Sequence, residues 1–316
     1  MQNDKPINEY DDEIDLRELF SVLWASKNLI AKVTAVFAVV SVLIALSVPN
    51  QYKASTVLAP AQQDSGGLGA LSGTLGQLGG LASLAGVSIG DASGDEAQMA
   101  IQIMQSRNFV EAFIKDNAIE VEVFAADGWK AKTNELSIDD DLYDIDSQMW
   151  VRNPPSGKPV EPTGWELYEE FLDLYSISQD KKTGMITVTV EYYSPFIARE
   201  WSEKLVVAIN AHMQSRKLQQ VGRNIQYLEA QIEKTAIAEM REVFYTIIEE
   251  QIKGKMLAEA SPEYVFETVS PAMVPEEESQ PKRALICILS TLLGVMLSII
   301  WVLIAYYGFN GRDKAK

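Results

Sequence analysis

"SPFIAREWSEKLVVAINAHMQSRKLQQVGRNIQYLEAQIEKTAIAEMREVFYTIIEEQIKGKMLAEASP", residues 194–262, holds no proline between Pro195 and Pro262. Ser194 stands in capping position and proline opens the first turn, the order in which helices begin. Apolar residues recur at Trp201, Leu205 and Ala208, at Leu218, Val221, Ile225, Leu228 and Ile232, and at Met240, Val243 and Ile247. Steps of three and four predict a helix. Taken as one element over 195–259 it is roughly 98 Å long at about 1.5 Å per residue, far beyond the usual three turns. A single chain of this size buries only part of such a helix. The stripe Leu218, Val221, Ile225, Leu228, Ile232 is therefore expected to be an oligomer interface. The competing reading is a helix broken at Gly222 or Gly254 and folded back as a hairpin, since each glycine costs about 1 kcal/mol in a helix.

Two further stretches decide the compartment. Ala284–Ala305 is 22 residues without a charge, about 33 Å as a helix against a hydrocarbon core of about 30 Å. Leu29–Val48 is of similar length and carries only Lys32, near enough to its end to snorkel. Both are expected to span a membrane. Acidic residues before the first run, and Val48-Pro49-Asn50 after it, do not fit a cleaved signal peptide.

Two spans put both termini on one side. Arg17, Lys27 and Lys32 at the first, with Arg312, Lys314 and Lys316 after the second, predict cytoplasmic termini, although Lys282 and Arg283 favour the reverse. Residues 49–283 are then outside. That segment holds 20 of the 27 basic and 36 of the 44 acidic residues, so it carries nearly all of the net charge of −17. So acidic a surface disfavours nucleic acid and anionic head groups as its partners. The one cysteine, Cys287, falls in the second span, so no disulfide within the chain holds the outer segment together.

Shorter elements surround the long helix. Residues 51–60, 119–125, 185–193 and 263–269 are alternating or β-branched and read as strands; 95–117 and 164–175 read as helices. The expected fold is an α+β membrane protein: two transmembrane helices flanking a periplasmic α/β base, with a protruding helix of about 100 Å. Its parts are a cytoplasmic segment 1–28, spans 29–48 and 284–305, a base 49–194, the long helix 195–259, a return strand and proline-rich approach 260–283, and a tail 306–316. Within the base, residues 65–94 hold ten glycines among regularly spaced leucines. This reads either as a glycine-weakened amphipathic helix near the membrane or as a flexible linker. It contains no phosphate-binding loop pattern.

"IDLRELFSVLWASKNLI" before the first span, "YKASTVLAP" after it, "NIQYLEAQIEKT" on the long helix and "KGKMLAEASPEYVFETVSPAMVPEEESQPKRALI" before the second span resemble bacterial chain length determinant proteins. These are polysaccharide co-polymerases that set how many repeats an O-antigen polymerase joins. The resemblance covers about half the chain and leaves residues 120–165 unmatched. It implies a homo-oligomeric ring in the inner membrane, partnered by the polymerase and by lipid-linked polysaccharide, acting without catalysis or cofactor. The family's proline-rich approach falls on Pro271, Pro275 and Pro281, with Ser270 where an acidic residue is common. Its small-residue pattern in the second span falls on Ser290, Gly294 and Ser298, a stripe suited to close helix packing against the first span, a neighbouring subunit or the polymerase. Related co-polymerases for capsule and exopolysaccharide carry or recruit a tyrosine kinase, and the tail "YYGFNGRDKAK" has no nucleotide site.

Enzymatic readings find little support. His212 is the single histidine and sits on the long helix; with Cys287 in a span, no Ser-His-Asp or Cys-His set assembles. "DDDLYDID" (139–146) contains Asp-x-Asp but lacks the glycine and final glutamate of an EF-hand, and reads as a solvated loop. Metal and cofactor sites are not expected. The alternatives are a co-polymerase for capsule or exopolysaccharide export, a two-span periplasmic sensor, or an efflux adaptor, which usually has one span.

Overall fold

The computed structural model describes residues 16–61 and 92–310. Most of the Gly/Leu-rich stretch, the first fifteen residues and the last six lie outside them. The order is α1 (Leu16–Ala25), α2 (Lys27–Ser47), β1 (Tyr52–Pro60), α3 (Ala92–Met104), α4 (Arg107–Asn117), α5 (Glu120–Ala125), the short strands β2 (Ala126–Lys130), β3 (Glu135–Ile138), β4 (Tyr143–Asp144) and β5 (Met149–Trp150), then α6 (Gly164–Leu174), β6 (Tyr175–Gln179), β7 (Ile186–Tyr192), α7 (Pro195–Lys234), α8 (Ala238–Ala260), β8 (Phe266–Ser270) and α9 (Arg283–Asn310). Two units separate: one is built from both ends of the chain, the other from residues 50–279.

In the second unit the strands form an antiparallel sheet in the order β6-β7-β1-β8. Side chains alternate across a strand, so one face takes Ala54, Thr56 and Leu58 from β1 and Ile186, Val188, Val190 and Tyr192 from β7, each at most 1% exposed. The first half of α7 lies on that face. Ala198, Trp201, Leu205, Ile209 and Met213 recur at three and four residues and are buried against it. Thr56 and Ser202 share a hydroxyl hydrogen bond of 2.7 Å between sheet and helix. Trp201 lies against Tyr192 and Phe171, at 4.6 and 5.8 Å between ring centres. The buried phenols each find an acceptor, Tyr175 on the Met104 carbonyl and Tyr192 on that of Glu122. Burial holds both well above the usual tyrosine range.

Strands expected at 51–60, 185–193 and 263–269 are present. The fourth is not. Residues 120–125 form a helix, because Ile119, Val123 and Ala125 are the buried positions and Ala118 turns the chain through φ 51° at the end of α4. The apolar alternation of "IEVEVFA" was overridden by packing one helical side against the core. The helix expected over 95–117 is two, parted at Gln105-Ser106, where the Ser106 hydroxyl donates to the Ile103 carbonyl at 2.7 Å.

The largest correction concerns the long helix. It runs 40 residues, Pro195–Lys234, about 60 Å, and α8 returns beside it. The reversal takes Thr235, Ala236 and Ile237, extended at both ends and flanked by β-branched side chains, which favour such backbone. Neither glycine breaks it: Gly222 and Gly254 lie inside helices with open space where a Cβ would point. Ser194 does occupy the N-cap of α7, but its side chain makes no capping bond.

In the first unit, α2 and α9 lie side by side and each contains a window long and apolar enough to cross a membrane, Lys27–Ser47 and Arg283–Tyr306. Two candidate membrane helices thus flank a mixed α/β domain that carries a long helix.

Candidate functional site

The two spans meet on small residues. A Cβ built on Gly294 would stand 2.7 Å from the Phe37 Cβ, so only glycine fits there. One turn on, Ser298 is 1% exposed, and Ser41 and Ala45 on α2 are 2% exposed. The hydroxyls of Ser41 and Ser298 return to carbonyls of their own helices, at 2.9 and 2.7 Å, which removes them from competition with lipid. Ser290 is half-buried on the same side. Of the partners open to the stripe Ser290, Gly294, Ser298, the structure supplies the first span.

The stripe Leu218, Val221, Ile225, Leu228, Ile232 also has a partner inside the chain. Gln214 donates through Nε2 to the carbonyls of Ala258 and Ser261, at 2.8 and 3.1 Å, and so fixes α7 and α8 antiparallel. Steps of three and four from Gln214 run through the stripe and end at the Thr235–Ile237 reversal. The facing series on α8 is Phe244, Ile248, Gln251, Lys255 and Ala258, all half-buried or buried. Val221 is 3% exposed and the rest of the stripe is half-buried. It forms the seam of a helical hairpin, not a free face. The sequence carries this signal in the four-three spacing of the α8 series, but the same spacing also fits one continuous helix.

What α8 leaves unpartnered lies on either side of that seam. At 3.6 residues per turn, Val243 and Ile247 fall on one flank and Tyr245, Ile252 and Met256 on the other. These five are 39–63% exposed. Patches of this kind mark interaction surfaces.

The return from hairpin to span is pinned. Asn210, buried in α7, accepts at Oδ1 from the backbone N–H groups of Val265 and Phe266 and donates to the Phe266 carbonyl, all at 2.9 Å. Pro271 follows β8 directly, Ala272 beside it is buried in the core, and Pro275 is half-buried. At the end of this approach Ser279 donates from its N–H to the Gln51 carbonyl at 2.8 Å and from its hydroxyl to Glu191 at 2.7 Å, while Asn50 donates to Glu278 at 2.9 Å. The two ends of the second unit are thereby tied together. Pro281 lies two residues before α9.

Residues 12–117, the first candidate membrane helix with the start of the second unit, match the family model described as chain length determinant protein. This part of the chain is similar to the chain length determinant protein family. A full-length bacterial polysaccharide co-polymerase of known structure is similar over 96% of this chain and 99% of its own, at 15% identity and a TM-score of 0.38. Comparison with curated proteins gives no match. The family regulates polysaccharide chain length and is non-catalytic.

The polar clusters of the second unit serve structure. Arg152, 7% exposed, makes a two-bonded pair with Glu166 at 2.9 and 3.1 Å, donates to the carbonyls of Pro159, Val160 and Glu161, and lies 5.0 Å over the Phe124 ring. Glu166 also takes Lys158 and closes a capping box with Thr163 at the start of α6. The Arg152 guanidinium, followed by these other donors, holds its carboxyl far below the usual range. In the acidic loop, Asp139 and Asp144 accept from the N–H groups of Asp141 and Asp146, as turn residues do. Ser147 chiefly holds Asp144 below the ordinary carboxylate range. No group of three His, Cys, Asp or Glu side chains is placed to hold a metal ion among the described residues. His212 is exposed, edge-on to Phe109.

Proposed function

We propose that this chain sets the modal length of the O-antigen of lipopolysaccharide by acting as a scaffold for the membrane polymerase. The observation that carries the reading is the family match across the first span and the entry to the outer unit. In this reading both termini are cytoplasmic, as the basic residues flanking the spans favour, and residues 49–283 stand in the periplasm.

The scaffold is a homo-oligomeric ring. Closed rings need two different faces per subunit, one meeting the other on the next copy. The flanks Val243, Ile247 and Tyr245, Ile252, Met256 supply two unlike apolar faces on opposite sides of one hairpin. They replace the seam as the expected subunit contact. Polymerase molecules docked to the spans extend a lipid-linked glycan until contact with the ring changes the odds of release.

The test is a silver-stained gel of lipopolysaccharide from the source bacterium with and without this gene. Loss of a modal cluster while polymer continues at random lengths supports the reading. An unchanged ladder sinks the O-antigen assignment and moves the search to capsule or exopolysaccharide.

A further inference from the structure

The ten residues of α1 fall in the segment 1–28 that the sequence places before the first span. They form a helix that turns at Ser26 into the first span, with the Ser26 N–H on the Val22 carbonyl at 3.1 Å. Between α1 and α2 runs an apolar cleft of about 560 Å³, open along one side. Phe20, Leu23 and Trp24 form one wall, and Ile30, Ala31 and Ala35 the other. Lys27 stands at its mouth, its ammonium 5.0 Å over the Trp24 ring and without a carboxylate partner among the described residues. Phe20 and Trp24 are stacked at 6.0 Å and are 65% and 63% exposed, an aromatic pair at the end of a span, where such rings favour the head-group level.

We propose that this cleft binds one anionic phospholipid, an acyl chain lying along Ile30 and Ala35 and the phosphate on Lys27. The inference goes beyond chain-length control and rests only on α2 being a membrane span. An apolar wall beneath a cation that has no carboxylate partner among the described residues is complementary to one molecule that carries a hydrocarbon chain below a negative phosphate. A transmembrane helix of another protein that filled the cleft with an apolar face would offer Lys27 no counter-charge. Trp24 adds the ring face on which the ammonium is held while the phosphate approaches from the open side.

Native mass spectrometry of the full chain in detergent, titrated with phosphatidylglycerol or phosphatidylcholine, tests this. The wild type should retain phosphatidylglycerol about fivefold better than phosphatidylcholine, the factor that one basic residue near the surface supplies. Lys27→Ala should erase the preference, Lys27→Arg keep it, and Lys32→Ala, on an exposed residue outside the cleft, leave it unchanged. A photo-crosslinker at Ala35 in cells should yield the chain plus the mass of one phospholipid. Equal retention of both lipids, as would follow if the acidic residues before α1 neutralise Lys27, overturns the proposal. So does a preference that survives Lys27→Ala, or a crosslink to a second copy or another protein. None of these readouts depends on a glycan ladder, so failure here leaves the proposed function standing.

Discussion

Gln214 Nε2 lies 2.8 Å from the Ala258 carbonyl oxygen across 44 residues of sequence, and this bond sets the register of the helical hairpin. It separates two sets of apolar residues on α7 and α8 that look alike in sequence. Seam residues hold the hairpin closed; flank residues are free to meet another subunit.

Leu228→Lys therefore tests folding. A charge in the half-buried seam, with loss of the leucine, should cost about 2–5 kcal/mol. Circular dichroism should show reduced helix content and a lower Tm. Val243→Lys and Ile252→Lys, on opposite flanks, should keep helicity and disperse the oligomer by native mass spectrometry. Intact oligomers in both flank variants would move the subunit contact elsewhere.

How legible this was depends on the range of the forces involved. The spans were readable because about 20 uncharged apolar residues have few other uses. Alternation gave β1 and β7, since one face of each meets the core. The hairpin was not readable, because Thr235-Ala236-Ile237 contains no strong breaker and the reversal is driven by two distant stripes finding each other. The same limit hid Asn210 and Arg152, whose partners lie 55 and 14 residues away or in loops without pattern. The amphipathic α1 is legible in the spacing of Leu16, Leu19, Phe20 and Leu23.

Asn210 offers a separable test. Asn210→Ala leaves the N–H groups of Val265 and Phe266 without their acceptor in a buried place, at about 1–3 kcal/mol for each such group. Strand β8 is an edge strand whose sheet neighbour is β1 alone, so it should loosen first. Hydrogen exchange should rise at residues 265–270 more than at 186–192. Uniform change across the sheet would deny Asn210 this local role.

The spans can be probed through one contact. Gly294→Leu drives a side chain into Phe37 and should push the helices apart, lowering the detergent-solubilised melting midpoint. Adding Phe37→Ala should recover part of the loss, a coupling expected only of residues in contact. Additive effects would mean that the two helices do not pack here.

Glu166 provides a dependence on pH whose sign is fixed by its surroundings. Arg152 above all, then Thr163 and Lys158, favour the carboxylate, so its folded pKa lies below the unfolded value near 4.3. Below that value the unfolded chain binds the proton and the folded chain resists it, so folding loses stability as pH falls. Glu166→Gln leaves the buried Arg152 without its counter-charge and should cost about 3–5 kcal/mol near neutrality. The variant no longer titrates at this site, so the gap between wild type and variant should be constant above about pH 5.5 and narrow through pH 4. Asp144 and Asp180 also have depressed pKa values, but they are present in both proteins and cancel in the difference. Unfolding midpoints of the two proteins measured from pH 3.5 to 7.5 decide it: a gap that stays constant to the lowest pH would show that Arg152 does not hold Glu166 ionised.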